Sequence, residues 1–538
     1  NLDAFALTDI NSTTMSLEML RLAKNSSVKV VLGVDFRVKA NQKFILLAKN
    51  NEGFKNINSY LSNLLHEKHC TIPERAKMFH NTYVIYPFDS CQEFDLDKHE
   101  FLGVRICDIG KLKFSKWKNR LDKLVILHTV SFLNKRAIEN NTLLSKLPIH
   151  EQGEESDVFI PEKDLIEAFK EFPKIIENTK RLIDNCNVNF DFSNGKPNNQ
   201  KSYTNSEELD FKLLKKLTFD GLRYRYNSPD NKVLSRIKKE LDIIKEKNFV
   251  SYFLINWKIL KYARSKGYYY VGRGSGANSI IAYLLRITDV DPVELDLYFE
   301  RFINLYRKNP PDFDIDFSWR DRDDVTKYSV KRVKNTALIA VYNTFKHRAS
   351  VRELGKVFGL PKSEINKLSA NRYDYKSLDK LSQLVLIYSN YIQGFPNYLG
   401  IHAGGIIISE EPIHQYVATF MPPKGFATVQ FDMVIAEDIG LYKFDILSQR
   451  GLGKIKEAVE IVKYNHPNLE DIDIHDIKRF KRDEKIKSLL RNAKAIGCFY
   501  VESPAMRMLM TKLQVDTYLG LVAASSVIRP GVSQSGMM

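Results

Sequence analysis

Pro310-Pro311-Asp312-Phe313-Asp314-Ile315-Asp316-Phe317 is the stretch on which the reading of this chain turns. Its alternation predicts a β-strand with Phe313, Ile315 and Phe317 on a core face and Asp312, Asp314 and Asp316 on the other. Like charges two residues apart repel and Asp is depleted in strands, so a divalent cation is the natural neutraliser of such a row. Hard carboxylate oxygens favour magnesium. A solvated edge strand with its charges outward is the plain alternative. Periodicity alone does not choose which two of the three would bind metal.

Two further stretches bear on the same chemistry. Leu441-Tyr442-Lys443-Phe444-Asp445-Ile446-Leu447 also reads as a strand, with Lys443 and Asp445 on one face. Ion pairing is the ordinary explanation of such a pair, and it gains meaning only if this strand lies beside the first. From Tyr268 to Leu285 the pattern predicts a strand, a glycine-rich turn (Gly272-Arg273-Gly274-Ser275-Gly276) and an apolar helix. Such a turn offers backbone N–H groups and the positive end of a helix to an anion such as phosphate. Arg273 and Ser275 would add a guanidinium and a hydroxyl. The turn matches neither the Walker A pattern nor Gly-x-Gly-x-x-Gly, and a tight turn without a ligand is its bland reading. Together, a phosphate cradle, paired carboxylates and a remote carboxylate with a lysine point to metal-dependent phosphoryl or nucleotidyl transfer.

At 538 residues the chain exceeds a single hydrophobic core, so several domains are expected. A formal charge of +16 favours a polyanionic partner. No apolar run suggests a membrane span, and the opening segment Asn1 to Thr8 does not read as a secretory signal; the chain reads as starting inside a domain. Five scattered cysteines without a Cys-x-x-Cys pair suggest neither a zinc ribbon nor a disulfide framework, which fits a reducing cytoplasm.

Outward from the core block, strands at Val28 to Leu32 and Phe44 to Ala48 alternate with a helix at Leu17 to Lys24, an α/β unit. The polar stretch Phe192 to Ser206 reads as an exposed linker or long loop, with a domain boundary near it. Helices are expected at Leu209 to Tyr226, Leu234 to Lys266, across Tyr342 to Leu399, and from Leu452 onward. Gly404 to Ser409 reads as a buried strand.

Val271 to Ser279, Ile287 to Pro292, Phe299 to Asn304, Pro311 to Phe317, His402-Ala403-Gly404-Gly405, Val429 to Asp432, Lys443-Phe444-Asp445, Gly497 to Ser503 and Arg529-Pro530-Gly531 fall in one order and spacing. In these motifs the chain resembles the bacterial DNA polymerase III alpha subunit family, the C-family polymerases. The resemblance implies an α/β multidomain fold. A degenerate, N-terminally truncated PHP-type (polymerase and histidinol phosphatase) domain would occupy 1–195. A palm similar to polymerase beta-like nucleotidyltransferases would occupy 205–341 and 401–451, a helical thumb 342–400, and the start of helical fingers 452–538.

The resemblance further implies that Asp314, Asp316 and Asp445 are catalytic and hold two magnesium ions, leaving Asp312 outside. Gly274 and Ser275 would form a phosphate motif, with Arg273, Lys443 and Arg307 near the nucleotide triphosphate. The implied partners are primer-template DNA, dNTPs, and a sliding clamp and other replisome subunits reached through family regions beyond Met538. No membrane is involved, and the implied place of action is the bacterial cytoplasm, at the nucleoid.

The family's first metal-binding histidines would precede Asn1. Ile10, Lys43 and Ser131 stand where its PHP histidines are common, so the first domain is expected to be a support without nuclease or phosphatase activity. His66, His69 and His80 read as surface histidines, while Asp9 and Asp35 retain carboxylates. The rival readings are a PHP-type metal-dependent phosphoesterase on a DNA-binding platform and a non-catalytic scaffold.

Overall fold

The computed structural model describes residues 3–67, 71–90, 95–131, 158–193, 197–300 and 310–528. Its first sheet has six strands in chain order: β1 (Ala4–Ile10), β2 (Lys29–Val38), β3 (Asn41–Ala48), β4 (Thr82–Pro87), β5 (Glu100–Val104) and β6 (Leu124–Ile126). Strands β2 and β3 are buried almost end to end, as expected for a sheet covered on both faces. One face packs Leu32, Val34, Phe44, Leu46 and Leu102 against the helix Asn51–His66, and the other packs Val31, Ile45, Ile85 and Val125 near the helix Pro173–Asp184.

The second sheet has seven strands in the order β11-β12-β9-β10-β13-β8-β7. These are β7 (Tyr270–Arg273), β8 (Asp314–Ser318), β9 (Thr336–Thr344), β10 (Pro396–Ile408), β11 (Thr419–Phe420), β12 (Thr428–Val429) and β13 (Lys443–Gln449). The expected alternation holds: Phe313, Ile315 and Phe317 join Phe444, Ile446 and Ile406 in one core with the helices Asn231–Glu246 and Val250–Ser265. The opposite face of the same strands is therefore free to carry charge. Asp314 begins β8, while Asp312 is exposed in the segment before it.

Two expectations need correction. Residues Asn198 and Asn199 are not an exposed linker. The buried Asn199 amide donates to Ile408 O (3.2 Å) and Tyr442 O (2.8 Å), and its carbonyl accepts from Tyr442 N (2.7 Å). Polar composition suggested solvent, but an asparagine can supply the backbone partners that two strand ends would otherwise lack. Tyr342 to Thr344 and Pro396 to Leu399, read as helical, are strand. They are the paired arms of β9 and β10, and the helices His347–Val357, Lys362–Ser369 and Lys380–Ile392 sit between them on a core of their own.

The first sheet's domain is joined to the second by buried polar contacts. Thr13 donates through N–H and Oγ1 to Gln430 Oε1 (2.8 and 3.1 Å), and Ser62 Oγ accepts Thr419 N–H at 2.8 Å. His66 is half-buried rather than freely exposed: its Nε2 lies 3.0 Å from Thr419 Oγ1, and burial lowers its pKa. His69 lies outside the described residues, and His80 is exposed. At the other end β13 runs straight into the helix Arg450–Asn465. That helix is fastened to the turn after β8 by Lys456 to Asp321 (3.1 Å) and Arg320 to Glu457 (3.3 Å). His475 Nδ1 lies 2.6 Å from Asp289 Oδ2, tying the following segment to the same body.

Candidate active site

Register brings the two acidic stretches together. β13 runs parallel to β8 with Asp445 opposite Asp314, β7 runs antiparallel with Arg273 opposite Asp314, and β10 places Gly405 opposite Asp445. One row across four strands thus reads Arg273, Asp314, Asp445, Gly405, with Asp316 and Lys443 two residues off on the same face. Adjacent strands lie about 4.8 Å apart, so the Asp314 and Asp445 carboxylates share one site.

Arg273 donates through Nη1 to Asp314 Oδ2 (2.7 Å) and through Nε to Asp316 Oδ2 (2.7 Å). Lys443 donates to Asp445 Oδ2. Burial pushes the Asp314 carboxyl above its usual range; Arg273 opposes this and the neighbouring Asp445 adds to it. Burial works against the Lys443 ammonium, but the Asp445 bond, with Asp312 and Asp314 behind it, wins and raises its pKa. The hydrogen bond to Asp316 raises that of Arg273.

The other oxygen of Asp445, Oδ1, is buried with no hydrogen-bond partner among the described residues. His402 Nδ1 approaches it at 3.8 Å but does not donate. That nitrogen accepts the N–H groups of Gly404 (3.2 Å) and Gly405 (2.7 Å), so the ring proton sits on Nε2, and burial lowers the imidazole pKa. A buried carboxylate oxygen facing only another acceptor is costly unless a cation completes it. The donor set of Asp314, Asp316 and Asp445 therefore fits a hard divalent ion. Sequence reasoning assigned His402 no role, although its Gly404-Gly405 neighbours were a signal: a β-bulge between Ile401 and Ile406 folds the ring over Gly405, where a Cβ would stand 2.8 Å from Nδ1.

The glycine turn differs from its reading in one respect. The helix Ile280–Leu284 does not offer its N-terminus to a ligand, because the buried Glu240 carboxylate, paired with Arg236 at 2.7 Å, already accepts from Ser279 Oγ (2.7 Å) and Ile281 N–H (3.4 Å). Within the turn, Gly276 N–H bonds Asp312 O (2.9 Å) and Ser275 Oγ accepts Asp312 N–H (3.0 Å). Gly274 has φ +93°, and a Cβ there would stand 2.6 Å from Asp312 O. The turn is thus clipped to the strand carrying Asp314, and Arg273 is its charged group toward solvent. Arg307 lies outside the described residues.

In the first domain the carboxylate expected in a PHP centre is held by a buried guanidinium and a side-chain amide. Asp35 Oδ2 accepts from Arg37 Nε (2.9 Å), Arg37 Nη2 (2.7 Å) and Gln42 Nε2 (2.7 Å), while Lys43 pairs with Glu74. Asp35 and Arg37 are almost wholly buried, so truncating Arg37 strips a buried carboxylate of its paired guanidinium. Arg37→Ala is expected to cost about 3 to 5 kcal/mol of stability in chemical denaturation. A loss below about 1 kcal/mol would show that the pair is dispensable.

A seven-stranded sheet bearing three carboxylates on adjacent parallel strands, an Arg and a Lys beside them, and a second α/β domain packed alongside match the α/β multidomain class that the family resemblance implies. Family models agree: PHP domain over residues 1–113, bacterial DNA polymerase III alpha NTPase domain over 212–448, and bacterial DNA polymerase III alpha subunit finger domain over 451–538. The chain belongs to the bacterial DNA polymerase III alpha family. It is 32% identical to the error-prone DNA polymerase of Symbiobacterium thermophilum, over 70% of this chain and 36% of that protein. It is 28% identical to the DNA polymerase III subunit alpha of Halalkalibacterium halodurans, over 98% of this chain and 52% of that protein. With that of Bacillus subtilis it shares 33% identity over 69% of this chain and 35% of that protein. The chain thus spans between about a third and a half of the relatives it matches.

Proposed function

We propose that this chain carries the polymerising centre of a bacterial replicative DNA polymerase, in which a primer 3′-hydroxyl attacks the α-phosphate of a templated dNTP. The observation that carries the reading is the register pairing of Asp314 with Asp445, beside Asp316 and an uncompleted buried carboxylate oxygen. Two magnesium ions bound by Asp314, Asp316 and Asp445 would supply an activated hydroxyl and charge neutralisation at the leaving pyrophosphate. Asp445 Oδ1 and the free lone pairs of Asp314 and Asp316 are the ligands offered. Lys443 and Arg273 would offer positive charge to the triphosphate oxygens, and Arg307 is proposed to join them. The chain's +16 charge suits backbone phosphates, while base pairing supplies sequence readout. Sliding-clamp and other replisome contacts are proposed for parts of the parent outside this chain.

Among the described residues no helix is long and apolar enough to cross a membrane. A PHP-centred phosphoesterase is disfavoured by the Arg37 clamp on Asp35. Primer extension by the full-length parent should require magnesium; extension that persists without any divalent ion would sink the proposal. Ser275→Ala removes one of the two clips on Asp312. It is expected to raise KM for dNTP about fivefold with primer-template affinity unchanged. A normal KM with weaker DNA binding would move the turn's role to DNA.

A further inference from the structure

In the free protein the three carboxylates proposed as ligands are neutralised by side chains of the same sheet. Arg273 spans two of them, with Nη2 also 3.5 Å from Asp316 Oδ1, and Lys443 holds the third through Oδ2 alone. Three acids and two bases leave one net negative charge. Two divalent ions entering with both bases in place would drive the site strongly positive. A nucleotide triphosphate carries roughly four negative charges, and its arrival reverses that balance.

The two bases differ in freedom. Arg273 is the last residue of the edge strand β7, and its side chain is 52% exposed, so its guanidinium can turn without disturbing the core. The comparison within this molecule is Arg37 on Asp35, where the side chain is 2% exposed and fixed. Both carboxylates are largely enclosed, but an arginine half in solvent can exchange partners where one buried together with its carboxylate cannot. Lys443, more enclosed, leaves Asp445 Oδ1 open while it holds Oδ2.

We infer that Arg273 is a displaceable counter-ion, which holds Asp314 and Asp316 in the free protein and passes to the triphosphate when nucleotide and divalent ions are present. Metal occupancy and nucleotide binding are then coupled: each strengthens the other through one side chain that has two places to be. This rests on the polymerase reading above. It gives Arg273 a positioning role on the carboxylates before it touches substrate, and it requires that the carboxylates bind metal poorly until nucleotide arrives.

The test is a Mn2+ titration of this chain, read by the electron paramagnetic resonance signal of the free ion, with and without a non-hydrolysable α,β-imido dNTP. The wild type should bind Mn2+ weakly alone and much more tightly with nucleotide. Arg273→Gln should bind Mn2+ about tenfold tighter than wild type without nucleotide, because a positive charge beside the ion is gone. The gain on adding nucleotide should shrink by the same factor. Arg273→Lys, a point charge that cannot span two carboxylates, should fall between them. Asp445→Asn identifies the site in each background, and circular dichroism checks the fold. Binding that depends on Asp445 but is unchanged or weaker in Arg273→Gln overturns the exchange and leaves the metal site standing. Binding indifferent to Asp445 in every variant overturns both.

Discussion

Asp445→Asn in the full-length parent is expected to lower the rate of nucleotide incorporation about a thousandfold or more, with primer-template affinity within about twofold of wild type. The substitution keeps the shape of the side chain, so the strand pairing with Asp314 survives. It replaces a carboxylate by an amide in a buried position where Oδ1 has no hydrogen-bond partner among the described residues. Asp314→Asn should act alike, since the two share one register position. Asp312→Asn should cost less than about tenfold, because Asp312 is exposed before the strand and contributes its backbone to the glycine turn. Single-turnover incorporation and fluorescence anisotropy with labelled primer-template separate the two quantities. Incorporation by Asp445→Asn within tenfold of wild type would remove it from the catalytic set.

The part of this site that is local in sequence was readable from the sequence. Alternation fixed which face of β8 is core and which is acidic, and the same logic placed Lys443 beside Asp445. That these strands are neighbours is a fact of topology. Some 130 residues separate them, and the helices and long arms of β9 and β10 lie between, so periodicity could not pair them; the family resemblance did. Where local reading failed, a side chain served a distant backbone or an unexpected charge. Asn199 looks like linker because its partners, Ile408 and Tyr442, are more than two hundred residues away. The helix after the glycine turn looked free to bind an anion because nothing nearby in sequence announces Glu240. His66 looked solvated because Thr419, its partner, belongs to the other sheet.

The glycine turn supports a second prediction of large effect, which separates packing from chemistry. A Cβ at Gly276 would stand 2.2 Å from Cε1 of Phe313, too close for any side chain to tolerate without movement. Phe313 has little room to give: its ring stacks on Tyr252 at 5.6 Å, meets Phe253 edge-on at 5.1 Å, and is buried beneath the sheet. Gly276→Ala should therefore cost about 1 to 3 kcal/mol through overpacking. The strain passes to the adjacent residue, Asp314, and a carboxylate displaced by about 1 Å should lower incorporation on the order of a hundredfold. No charge or ligand is removed, so the loss should be recoverable. Phe313→Leu in the Gly276→Ala background frees the space the methyl needs and should return most of the stability and at least part of the rate. Urea denaturation and single-turnover incorporation on the two single variants and the double variant measure both effects. If Gly276→Ala matches wild type in both, the close packing of the turn against Phe313 does not hold Asp314 in place.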